Sequence, residues 1–175
     1  MRKVKLLGLV LVAAMFVACQ KGNPSPKEEK ITKCESPKYQ VLFDTSKITG
    51  TQNLYSVQDF KALLGKIMQD SQCFSFVQTP NENTWKMEVT YKLETNAQSQ
   101  DFNIAKGQSE ATLKSLVTLD LIQAKQTIKE RANGELKLSK EHYFGTGKES
   151  KISKNEIDRL LKQNIIFIVD DLRSK

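Results

Sequence analysis

A chain of 175 residues, 39% of them hydrophobic, is long enough for one domain with a substantial core. Its formal charge of +7 is spread along the sequence without a dense basic block or an interleaved basic–aromatic motif, which argues against nucleic acid as a partner. The chain has a single histidine, His142, no C-x-x-C or H-x-x-x-H spacing and no G-x-S-x-G elbow. It is therefore read as a non-enzyme that needs no metal or cofactor.

The chain opens on a basic stretch (Arg2, Lys3, Lys5) followed by the apolar run Leu6–Cys19, LLGLVLVAAMFVAC. About thirteen residues at 1.5 Å rise cover only about 20 Å, short of the ~30 Å hydrocarbon core of a bilayer. The pattern is that of a cleaved signal, residues 1–18, rather than a spanning helix. Phe16-Val17-Ala18-Cys19 resembles a bacterial lipobox. The resemblance implies that Cys19 receives a diacylglyceryl thioether, becomes the first residue of the mature chain and is N-acylated, for example with palmitate. The membrane is then a partner through two or more acyl chains, each buried CH₂ contributing about 0.8 kcal/mol. Gln20 follows the cysteine. In enterobacterial-type sorting an aspartate at that position retains lipoproteins in the inner membrane, so its absence points to the outer membrane, with the domain facing the periplasm or the cell surface. Removal of residues 1–18, which carry three of the positive charges, leaves 157 residues and about +4.

Residues 19–33 form a lipidated tether. Gln20–Lys33 holds two prolines, six charges and one large apolar residue, Ile31, too little apolar surface to offset the entropy of ordering it. Fully extended, such a stretch reaches about 45–50 Å. Residues 34–175 are the globular domain.

Tyr39–Asp44 reads as the first strand and Thr49–Thr51 as connection. Ser56 and Asp59 give a capping signal for a helix over Ser56–Ser71, whose Val57, Phe60, Leu63, Leu64, Ile67 and Met68 share one face. Phe74–Gln78 is the second strand. A strand, helix, strand start implies a right-handed crossover with parallel strands. That would bring Cys34 and Cys73 to the same end of the sheet, and an oxidising compartment would favour a disulfide between them; two free thiols are the alternative.

Trp85–Thr95 alternates strictly between apolar and polar residues, the mark of a strand with one buried and one wet face. Asn96–Glu110 reads as a long polar loop, with Phe102 and Ile104 as candidate contacts for a partner. Ala111–Ile128 reads as a strand with a bulge near Leu121–Ile122, where the apolar positions change parity. Asn133-Gly134 is a type I′ hairpin signal, after which Leu136–Phe144 returns antiparallel. The Gly147-Lys148 pair lacks the flanking residues of a phosphate loop, with His142 and Glu149 where Gly and Ser/Thr belong. Ser153 and Glu156 form a capping box for a last helix, with a stripe from Ile157 to Leu172; Ile166 and Phe167 fall off that stripe.

The expected fold is thus α+β: one mostly antiparallel sheet with a βαβ start and two amphipathic helices packed on one face. The segments Val41–Gly50 and Phe60–Val77, with the sheet-plus-final-helix layout, look like those of small envelope lipoproteins. Two families are similar: one holding the curli secretion channel lipoprotein and the lipoprotein activator of penicillin-binding proteins, the other the lipoprotein plug of the lipopolysaccharide assembly translocon. The helices of the curli-channel family between its second and third strands are missing here, where only Gln78–Thr84 lies. Cys19-Gln20-Lys21 stands where the plug family begins Cys-Gly-Tyr. The resemblance carries over Cys19 alone and implies a non-enzymatic accessory or binding subunit of an envelope complex. The alternative is a periplasmic carrier of lipid or another apolar ligand.

Overall fold

The computed structural model describes residues 30–103, 106–143 and 151–175. It holds strands β1 (Tyr39–Leu42), β2 (Ile48–Gly50), β3 (Phe74–Val77), β4 (Trp85–Asn103), β5 (Lys106–Gln123) and β6 (Gln126–Tyr143). Its helices are α1 (Val57–Ser71) and α2 (Lys154–Ser174). The fold is α+β, one open mixed sheet of six strands in the order β3-β1-β4-β5-β6, with β2 also on β4.

The sheet is mixed rather than mostly antiparallel. β1 is parallel to both β3 and β4, and β2 is parallel to β4. The reason lies in the stagger. Leu42 pairs with Val77, the last residue of β3, and with Lys86 near the start of β4. The chain therefore steps sideways past the end of β1 and continues in the same direction, and the short segment Gln78–Thr84 suffices without a returning helix. The strand, helix, strand opening is also interrupted. A 3-10 turn at Thr45–Lys47 and then β2, whose Thr49 and Gly50 read from the sequence as connection, stand between β1 and α1.

The rest of the sheet is an antiparallel meander in which β4 pairs with β5 from Lys86↔Ile122 to Asn103↔Lys106. β5 pairs with β6 from Gln123↔Gln126 to Lys106↔Tyr143. Three readings change here. Asn96–Glu110 is the end of one hairpin, strand up to Asn103 and again from Lys106, rather than a loop. The parity change after Leu121 is no bulge, because the chain reverses there through Ala124, at φ 35°, and Lys125. Asn133-Gly134 lies inside β6 and is no turn. Gly134 is small because α2 crosses it, and an added Cβ would stand 2.7 Å from Leu160 Cδ1.

Alternation along β4 and β5 buries Met87, Val89, Tyr91, Leu93, Leu113, Val117, Leu119 and Leu121 on one face. The helices close that face with Phe60, Leu64, Ile67 and Met68 from α1, and Leu161, Ile165, Ile168 and Leu172 from α2. At about 25 cal/mol per Å² of apolar surface this burial is the main stabilising term. Ser56 caps α1 by accepting from the Asp59 N–H at 3.0 Å. Ser153 and Glu156 form a reciprocal box at the start of α2. Ile31 is already packed against the core.

Candidate functional site

Of the residues singled out by the sequence, Cys34 and Cys73 are joined in a disulfide with Cα atoms 5.0 Å apart. The bond ties the segment before β1 to the start of β3, and the Cys34 N–H donates to the Ser71 carbonyl at 2.8 Å. Phe102 falls in β4, near its end. Cys19 and Ile104 lie outside the described residues. His142 pairs with Gly107 in the β5–β6 ladder.

Two polar clusters hold the ends of α2. At its start, the Tyr55 hydroxyl donates to Asp158 Oδ1, and Lys154 pairs with Asp59 of α1 at 2.9 Å. Burial pushes the Tyr55 phenol far above its ordinary pKa, and its bond to the Asp158 carboxylate pushes it further. At the other end, Tyr39 donates to the Leu172 carbonyl at 3.0 Å and Lys38 to the Arg173 carbonyl at 2.5 Å. Lys175 meets Glu130, which is 8% exposed. Burial raises the Glu130 carboxyl above its ordinary range although Lys175 pulls the other way. The clusters fasten α2 to β1, β6 and α1, so their chemistry is spent on holding the helix.

The open features lie elsewhere. On the wet face, Glu94, Asn96, Glu110, Lys114 and Lys137 border a shallow polar trough of about 440 Å³. Between the outer edge of β6 and α2 runs a wider groove of about 670 Å³. Ala132 and Gly134 form its floor, Leu160 and Phe167 its helical wall, with Arg131 and Glu135 along the strand. Lys30, the first described residue, also borders it. Phe167 is 63% exposed while its neighbour Ile166 is 5% exposed. The two positions that fall off the apolar stripe thus part ways, one packed inward and one presented to the groove. Its position off the stripe was the sequence signal for this surface; the groove itself depends on β6 being the edge strand, which the hairpin reading hid. Among the described residues no strand pairs with the outer edge of β6. No helix among them is long and apolar enough to cross a membrane, and they hold no group of three or more metal-type side chains.

These features define a class: an α+β domain with an open mixed sheet, one face covered by two helices and a long strand left at the edge. No protein-family model and no curated protein matches the chain. Among solved structures it is similar to a neuraminyllactose-binding hemagglutinin homolog from Helicobacter pylori, at 14% identity and a TM-score of 0.43, over 83% of this chain and 88% of that one. A hypothetical protein from Chlamydia trachomatis is similar at 10% identity and a TM-score of 0.39, over 79% and 97%. A minor lipoprotein from Acinetobacter baumannii is similar at 12% identity and a TM-score of 0.25, over 79% and 87%. Likeness at this level assigns neither family nor activity.

Proposed function

We propose that this chain is a bacterial lipoprotein, lipidated at Cys19, anchored in the outer membrane, and acting as a non-enzymatic accessory or binding subunit of a cell-envelope complex. The observation that carries the reading is the Leu6–Cys19 pattern: basic start, apolar run too short to span, small residues, then cysteine. Lys30 and Arg131 both border the groove beside β6. The accessory reading is favoured over a lipid carrier because the space between sheet and helices is filled by Phe60, Leu64, Tyr91, Leu161 and Ile165. Three volumes among the described residues, of about 440 to 670 Å³, are open surface grooves.

Metabolic labelling with an alkynyl palmitate tests the anchor. The full chain should incorporate label and fractionate with outer membranes, and Cys19→Ala should lose both. An unlabelled wild-type chain released into the soluble periplasm would falsify it. Crosslinking in cells followed by mass spectrometry tests the second half. One reproducible envelope protein supports the accessory reading, and a monomer carrying a lipid-sized adduct replaces it with the carrier.

A further inference from the structure

We propose that the outer edge of β6 is a self-association surface, on which a second copy of this chain adds its own β6 antiparallel across a twofold axis at Asn133. The inference does not depend on the anchor. β6 is 18 residues long, contains no proline, and keeps an unbroken register with β5. Such an edge is a template for another strand, and proteins normally shorten, bend or cover it. The opposite edge of the sheet ends instead in β3, only 4 residues long.

The register follows from the turn. Gln123 and Gln126 flank a two-residue turn and are its closing, hydrogen-bonded pair. Hydrogen-bonded and non-bonded pairs alternate along an antiparallel ladder. The even-numbered residues of β6 therefore turn their N–H and C=O groups toward β5. Thr127, Lys129, Arg131, Asn133, Glu135 and Lys137 turn theirs outward, with side chains on the wet face. In a twofold antiparallel pair an outward residue must face an outward residue. With Asn133 opposite itself, Arg131 faces Glu135 of the second copy and Glu135 faces its Arg131, two opposite-charge pairs flanking the axis. Lys129 and Lys137 come opposite each other; Lys129 is offset within its own chain by Asp120 at 2.9 Å, while Lys137, 3.2 Å from Glu135, shares that carboxylate with the second copy's Arg131.

The helix side fits the same axis. Ala132 falls opposite Gly134, so the floor of the groove is small on both sides of the junction. A twofold axis normal to the sheet keeps both copies of α2 on one face. Phe167, the largely exposed aromatic of that wall, then points at its counterpart from the second helix. The edge is thus self-complementary in backbone parity and in the size of its floor, and in charge at the two Arg131–Glu135 positions that flank the axis.

Sedimentation equilibrium of the full chain, expressed with its N-terminal segment and kept in density-matched mild detergent, tests this directly. The wild type should sediment as a dimer. Arg131→Glu and Glu135→Arg each place like charges opposite at both symmetric positions, and each should raise the dissociation constant about 10- to 100-fold. Combined in one chain, the two reversals restore opposite pairs and should return the constant to within about threefold of wild type. Both side chains are exposed, but Glu135 also faces Lys114 and Lys137 of its own chain, so a thermal melt of each variant separates lost stability from lost association. A monomeric wild type overturns the proposal, whether it is bare or carries another protein's strand on this edge. Single reversals that dimerise like wild type, or a combined variant as weak as either single, overturn it as well.

Discussion

Gly50 on β2 and Tyr91 on β4 are register partners, and Gly50 lies so close that an added Cβ would stand 2.1 Å from Tyr91 Cε1. The Tyr91 ring stacks on Phe60 with centroids 4.3 Å apart and donates its hydroxyl to the Tyr55 carbonyl at 2.6 Å. The ring is therefore fixed from two further sides and cannot swing away. Gly50→Ala should cost about 1–3 kcal/mol through overpacking, read as a lower urea midpoint with an unchanged slope. Tyr91→Phe keeps the stack and should cost about 1 kcal/mol for the lost hydrogen bond.

Asn164 of α2 is buried and donates through Nδ2 to the Ser115 hydroxyl at 2.8 Å. The bridge fixes the helix on the central strand. Asn164→Ala leaves that hydroxyl buried without its partner and should cost about 1–3 kcal/mol. Ser115→Ala in the same chain should add less than its separate cost, with a coupling near 1 kcal/mol in a double-mutant cycle. Strict additivity would show that the two groups do not act as a pair.

Tyr39, Tyr55 and Tyr91 are three of the four tyrosines, and all three have raised pKa values with burial as the leading cause. A phenol whose folded pKa lies above its unfolded value favours the native state fully below the unfolded value, about 10, and that contribution is lost as pH rises through the folded value. Stability should hold to about pH 10 and fall steeply above it. Absorbance at 295 nm should show Tyr39, Tyr55 and Tyr91 titrating only together with loss of far-UV signal. Independent titration of these three at ordinary pH would contradict the packing described for them.

The disulfide between Cys34 and Cys73 closes a separation of 39 residues around β1, β2 and α1. In the chain-entropy account a loop of that size contributes about 4 kcal/mol. Cys34→Ser with Cys73→Ser should lower the unfolding free energy by roughly 2–4 kcal/mol. Reductant should shift the wild-type urea midpoint and leave that of the variant unmoved.

Legibility followed periodicity. Both helices and their caps were readable because Ser56, Ser153 and Glu156 carry side-chain chemistry that acts within one turn. The strict alternation of Trp85–Thr95 likewise gave β4 and its buried face. The errors fall where a local signal was in use for something distant. Asn133-Gly134 has turn chemistry, yet its glycine serves the approach of Leu160 from 26 positions downstream. The true reversal uses Ala124-Lys125, which carries no glycine, so the parity change it leaves behind looks like a bulge. The parallel placement of β1 rests on a stagger between strands that no single segment encodes. The candidate surface stayed hidden for the same reason: without the reversal at Ala124, β6 is not one long strand and has no free edge.

The meander and the rest of the fold close over very different lengths of chain. Every ladder among β4, β5 and β6 joins strands adjacent in sequence, whereas Tyr39 reaches the Leu172 carbonyl across 133 positions. Closure of a long loop must precede its reward, so the two parts should be acquired at different times during folding. Pulse-labelled hydrogen exchange during refolding should protect the Thr118 and Leu119 amides in the centre of the meander before that of Val41 in β1. A chain synthesised in the order of its sequence then has its first strand waiting, unpaired with its final neighbour, until Trp85 and Lys86 arrive.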